Sequence, residues 1–196
     1  MTKKLKTTAI IGITIILAGA GIFLLWFFVL SDNTEETTIT GEQESIAGVD
    51  YLVPEGWTED DLADRNLTKY MDARIRKGDD QDRITFQIQT LETKEKANFE
   101  DLKTSLPKKF RKQFDAFTKI AINDTEIDGL AGIKMEYTYD RLKDSKEEHI
   151  IRQEQIITQK GNTVYYLLSS APDEDYEEVR AEFDAIFASI DFKDEE

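Results

Sequence analysis

Val164-Tyr165-Tyr166-Leu167-Leu168 is apolar at five successive positions, and the reading of this run decides the fold. A strand with apolar side chains on both faces must be covered on both faces. Lys160-Gly161-Asn162 before Thr163 is a turn signal, and Ile150 to Ile157 reads as the antiparallel partner across that turn. After the strand, Pro172 and Asp173 open a last helix. Its Tyr176, Val179, Phe183, Ile186, Phe187 and Ile190 make one stripe, and Glu174, Asp175, Glu177 and Glu178 crowd the positive end of its dipole.

Working outward, Ile133, Met135, Tyr137 and Tyr139 alternate strictly, preceded by the turn signal Asp128-Gly129 and by Ile120 and Ile122. Nearer the N-terminus, Met71, Ala73 and Ile75 alternate with charged residues. The segment Gly78-Asp79-Asp80-Gln81-Asp82 turns the chain, and Ile84, Phe86 and Ile88 complete a hairpin. Ile46, Val49, Tyr51 and Val53 predict one strand stopped by Pro54-Glu55-Gly56, with Trp57 as a large anchor.

Between the hairpin and Ile120, Phe99, Leu106, Phe110, Phe114 and Phe117 fall within about 80° of one another on a helix, with Leu102 beside them. Asn98 is placed to cap its start, with Glu100 and Asp101 in the first turn. Pro107 lies inside the pattern and costs about 3 kcal/mol in an unbroken helix, so a kink or break is expected there, with Ser105 capping a second piece. The order predicts an α+β fold: an antiparallel sheet of about seven strands covered by helices.

A different pattern precedes this domain. Thr7 to Ser31 is uncharged for 25 residues. As a helix it spans about 37 Å, enough to cross a hydrocarbon core of about 30 Å with tilt. Lys3, Lys4 and Lys6 lie before it and Asp32, Glu35 and Glu36 after it, which predicts an N-terminus inside and a domain outside. Cleavage at Leu17-Ala18-Gly19-Ala20-Gly21 would leave Ile22 to Leu30 as an apolar N-terminus, so the reading is an uncleaved signal-anchor. The expected organisation is a cytoplasmic 1–6, an anchor at 7–31, a Thr/Glu-rich spacer at 32–44, an extracytoplasmic domain at 45–192 and an acidic tail at 193–196.

Composition narrows function by exclusion. The sequence has no cysteine, so disulfides, thiolate metal sites and thiol catalysis are out. All 40 acidic residues follow the apolar run, against 22 basic ones, a formal −18 that disfavours nucleic acid as a partner.

Three patches resemble the PsbP-like domain family. Tyr51-Leu52-Val53-Pro54-Glu55-Gly56-Trp57 is similar to its "strand, Pro-x-Gly-Trp" opening. Ile127-Asp128-Gly129-Leu130-Ala131-Gly132 is similar to its turn before a long strand. Tyr165-Tyr166-Leu167-Leu168-Ser169-Ser170-Ala171-Pro172, with Tyr176, Phe183, Ile186 and Ile190, is similar to its closing strand and helix. The resemblance covers about Ser45 to Phe192 and implies an antiparallel sheet sandwiched by helices. The family includes a lumenal extrinsic subunit of photosystem II, a nuclear Ran-binding protein and many prokaryotic surface proteins, mostly non-enzymatic binding or accessory subunits. The resemblance implies such a role here, as a membrane-anchored prokaryotic surface member, and carries over no binding residue.

Candidate sites are few. His149 is the single histidine, so H-x-x-x-H spacing is impossible and a triad would lack its G-x-S-x-G companion. Asp79-Asp80-Gln81-Asp82 lacks the glycine and distal glutamate of an EF-hand loop and reads as a solvated turn. Asn66-Leu67-Thr68 and Asn123-Asp124-Thr125 are short sequons of little weight. No catalytic, metal or cofactor residue is assigned.

The candidate docking patch is Lys108, Lys109, Arg111 and Lys112. With Phe110 facing the core, Lys108 and Lys112 point about 160° away and the other two about 100°. The expected function is a non-catalytic, membrane-anchored extracytoplasmic binding or accessory domain of a cell-envelope complex. Its expected partners are the bilayer through 7–31 and an envelope protein or anionic envelope polymer. The alternative is an extracytoplasmic hydrolase without a linear motif.

Overall fold

The computed structural model describes residues 39–63, 71–78, 84–141 and 149–193. The anchor and most of the spacer, the Asn66 sequon, the Asp79–Asp82 turn and residues 194–196 of the tail lie outside the described residues. Among the described residues no helix is long and apolar enough to cross a membrane.

Among the described residues ten strands and two helices follow one another: β1 (Gly41–Ile46), β2 (Val49–Pro54), β3 (Trp57–Glu59), β4 (Ala73–Lys77), β5 (Ile84–Glu92), α1 (Phe99–Gln113), β6 (Asp115–Ile127), β7 (Leu130–Asp140), β8 (Ile150–Lys160), β9 (Thr163–Pro172), α2 (Tyr176–Ala188) and β10 (Asp191–Phe192). The main sheet has seven strands in the order β3-β4-β5-β9-β8-β7-β6, every pair antiparallel. A second sheet, β1-β2-β10, is small.

β9 is the central strand that Val164 to Leu168 predicts. Tyr165 and Leu167 belong to a core with Val49, Tyr51, Trp57, Ile75, Phe86 and the α2 stripe Tyr176, Val179, Phe183 and Ile186. Val164 belongs to the opposite core, with Leu106 and Phe110 of α1 and Ile133, Met135, Tyr137 and Ile157 of the sheet. One helix therefore covers each face, and the small sheet joins the α2 layer. The expected α+β sandwich is present.

Three local expectations are corrected. The chain is ordered before Ser45: Gly41–Glu44 belong to β1, whose side chains are nearly all exposed. A strand held by its backbone ladder to β2 alone leaves no apolar alternation to read. Ile46 and Val53 lie in two strands, joined at Ala47 (φ 51°) and Gly48 (φ 75°). Positive φ at both central residues is the tight hairpin geometry that matches strand twist.

The helix also runs unbroken through Pro107, and Ser105 caps nothing. Burial of Leu106 and Phe110, each contributing about 1.5–3 kcal/mol, offsets the missing proline N–H. Finally, α1 stops at Gln113, so Phe114 is its C-cap and Phe117 lies in β6. Both keep the aromatic contacts the stripe predicts, because the strand turns back under the same helix. Phe114 stacks on Tyr139 with centroids 4.5 Å apart, and Phe117 meets Phe110 at 6.1 Å. The Asn98 side chain caps α1 as expected, accepting from the Asp101 N–H at 3.2 Å.

Candidate functional site

The amphipathic pattern of α1 fixes its orientation. Leu106 and Phe110 face the sheet, so Lys108, Lys109, Arg111 and Lys112 are exposed on the outer side. Arg111 and Lys112 also lie in the last turn, where a cation complements the helix dipole. Lys119 of β6 is exposed close by in sequence.

These five cations are set apart by what surrounds them. Most other described basic side chains are engaged: Arg74 and Arg76 share Asp60, Lys77 meets Glu182 at 2.5 Å, and Lys193 bridges Asp50 and Asp191. Hydrogen bonds donated to Asp191 and Asp50 hold Lys193 above the ordinary lysine range, and those donated to Asp124 and Glu100 do the same for Lys103. Among the described residues no ion pair forms to Lys108, Lys109, Arg111, Lys112 or Lys119. In a strongly acidic domain, this is an uncompensated positive spot.

Its place in the fold matters too. α1 packs on β6 and β7, at one edge of the main sheet. The described chain begins beside the opposite edge, where the Thr40 carbonyl accepts from the Glu55 N–H at 2.9 Å in the turn before β3. Six strand spacings separate these edges, about 29 Å.

The densest charge network lies under α2. Glu136 and Glu154 stand directly opposite each other on β7 and β8. Arg152 bonds Glu136 and meets Glu177 at 2.8 Å, Arg180 meets Glu177 at 2.7 Å, and Lys134 meets Glu154 at 2.8 Å. Both guanidiniums stack near the Tyr176 ring, at 4.8 and 5.2 Å. Burial pushes the Glu154 carboxyl above its usual range, against the Lys134 bond, which lowers it. Two carboxylates with differing environments resemble an acid/base pair in outline, but Glu154 is only 2 % exposed, beneath the helix. The arrangement fastens α2 to the sheet.

His149 is half-buried at the start of β8, where its carbonyl accepts from the Arg141 N–H at 3.0 Å. Asn123-Asp124-Thr125 lies on β6, with Asp124 held by Lys103 at 2.8 Å. Among the described residues no group of three His, Asp or Glu side chains is placed to hold a metal ion. Two cavities flank the α2 layer, and neither contains a histidine. One of about 410 Å³ lies between Thr40–Glu42 and Val53–Trp57, and one of about 270 Å³ between Thr125–Asp128 and Phe187.

Sequence reasoning did not single out Lys119, and it named Ile120 among the apolar residues before the Asp128-Gly129 turn without foreseeing its exposure. Both are exposed on β6, an edge strand, and edge position leaves no local mark in a sequence.

Residues 43–192 match the family described as "Serine/threonine kinase C-terminal domain". No curated protein matches the chain. Three similar solved structures show the fold. The first is cyanobacterial PsbP (CyanoP) from Synechocystis sp. PCC 6803, at 16% identity and TM-score 0.58, covering 77% of this chain and 91% of that one. LpqN of Mycobacterium tuberculosis, described as involved in cell envelope biogenesis, has 13% identity and TM-score 0.53, covering 84% and 96%. The Saccharomyces cerevisiae Ran-binding protein Mog1p has 7% identity and TM-score 0.54, covering 80% and 97%. The domain has the PsbP-like fold.

Proposed function

The chain belongs to the serine/threonine kinase C-terminal domain family, and on that footing we propose that it is a non-catalytic binding or accessory domain of a cell-envelope complex. The apolar run 7–31 holds it outside the cytoplasm as an uncleaved anchor. The observation that carries the reading is the unpaired basic face of α1, Lys108, Lys109, Arg111 and Lys112, in a domain that neutralises most of its other cations. An exposed cationic patch steers an anionic partner and orients its approach, and Lys108, Lys109 and Lys112 with Ser105 and Gln113 line an open surface cavity of about 490 Å³. LpqN and Mog1p carry names that denote envelope biogenesis and protein binding, which is support by likeness of fold only.

The test is recovery of envelope components by the wild type and by K108E/K112E, at low and at physiological salt. Weaker recovery by the variant and weaker recovery at the higher salt are expected, since exposed charges are screened beyond about 8–10 Å. Equal recovery of each specific partner by both proteins refutes the docking role. Protease added to intact cells or spheroplasts tests the anchor: the domain is digested or released, and full protection until lysis overturns the orientation.

A further inference from the structure

The two edges of the main sheet are unlike. β3, at one edge, is three residues long and adjoins the turn that Thr40 covers. β6, at the other, is the longest strand of the domain, with 13 residues. Its first half is irregular against β7, with register shifts between Asp115 and Thr118 and between Lys119 and Ala121. From Ala121 to Ile127 the pairing is unbroken, so the outer side of that stretch is a straight row of backbone donors and acceptors. No other strand pairs with it among the described residues.

Side chains along this edge add two features. Ile120 is left out of the ladder and is 46% exposed; Ile46 and Leu91, the other exposed large hydrophobic side chains among the described residues, both keep ladder partners. Lys119 adjoins it in sequence and the α1 cations lie on the helix packed over β6, a basic collar on this side of the sheet; of the acids on the paired stretch, Asp124 is held by Lys103 and Glu126 is exposed. Edges this long and this open are usually blunted or covered. A polymer of charges alone would use the collar and leave the backbone row and Ile120 unmatched. A peptide matches all three.

We propose that β6 is a strand-addition site for an extended acidic segment of a partner protein, its carboxylates beside Lys119 and the α1 lysines and an apolar side chain on Ile120. Main-chain hydrogen bonds give such a contact its affinity, and the flanking side chains give it selectivity. The inference rests on the reading of α1 as a docking face and adds how the partner is held.

The experiment uses the full chain in detergent micelles and three probes: a peptide of about eight residues alternating Glu with Val, one alternating Glu with Pro, and inorganic polyphosphate. The first two carry equal charge, but proline removes the N–H groups a strand must donate. The Glu/Val peptide should bind at least about tenfold more tightly than the Glu/Pro peptide, a difference of about 1.4 kcal/mol. It should slow amide exchange along Ala121–Ile127 and not in β3. I120E should weaken the Glu/Val peptide selectively, and K108E/K112E should weaken all three probes. Equal binding of both peptides without protection of β6 overturns strand addition and leaves the basic docking face standing. Binding of every probe unchanged in K108E/K112E overturns the docking face itself.

Discussion

Phe183→Ala is the perturbation that most directly tests how the two layers hold together. Phe183 is 1 % exposed at the middle of the α2 stripe. Its ring meets Trp57 edge-on at 5.7 Å and lies 5.5 Å from Tyr176. Truncating a buried phenylalanine costs about 3–5 kcal/mol, the spread reflecting how far the site can collapse. Collapse is restricted here. The Trp57 indole N–H is bonded to Glu182, which Lys77 also holds, and Tyr176 is pinned between Arg152 and Arg180 with its hydroxyl 3.2 Å from Ser169. Two aromatic pairs, each contributing about 0.5–1.5 kcal/mol beyond area, disappear with the ring. The expected loss is therefore in the upper half of the range, about 4 kcal/mol, or a fall in Tm of about 10 °C. Urea denaturation of the wild type and variant, with the slope unchanged, measures it. A loss below about 1 kcal/mol would mean that α2 does not seal this face of the sheet.

Three further outcomes are expected. Pro107→Ala restores an N–H to the middle of α1 and should raise stability by about 1–3 kcal/mol; a loss in the same denaturation assay would show that the ring packs where the helix needs it. Ala116 sits at φ 48° near the start of β6, in the irregular stretch between Asp115 and Thr118, so Ala116→Gly should stabilise by about 1 kcal/mol, and an unchanged midpoint would remove the claim of strain there. Glu154 binds its proton more tightly folded than unfolded, because burial outweighs its bond to Lys134. Its contribution is most favourable below the ordinary glutamate value and is lost as pH rises through the raised one. Urea midpoints of Glu154→Gln should therefore gain on the wild type as pH rises from 5 toward 8, and a pH-independent difference would contradict the burial argument.

Much of this protein is legible in its residues because the patterns are local. Alternation at Ile133 to Tyr139 and in the β4–β5 hairpin, the two-faced apolar run of β9, the Asn98 cap and the α2 stripe each depend on neighbours within a turn or a pleat. The uncharged run 7–31 and the charges flanking it are equally local, which is why an anchor and its orientation can be proposed from sequence. The outward placement of Lys108, Lys109, Arg111 and Lys112 also followed from helical geometry once Phe110 was assigned to the core.

What the tertiary structure alone decided depends on residues far apart in the chain. β1 has no apolar signal because its register with β2 is made by backbone groups that every sequence shares. Pro107 is tolerated because the sheet beneath α1 supplies burial that an isolated helix lacks. The exchange of partners among Glu136, Arg152, Glu177 and Arg180 spans three elements, and the sequence shows only charged residues scattered along them. Most telling for function, a lysine with a carboxylate partner and a lysine without one look the same in a sequence. Only the fold shows that Lys103 reaches Asp124 while, among the described residues, no ion pair forms to the α1 face and no strand pairs with the outer side of β6, because that difference is set by which strands end a sheet.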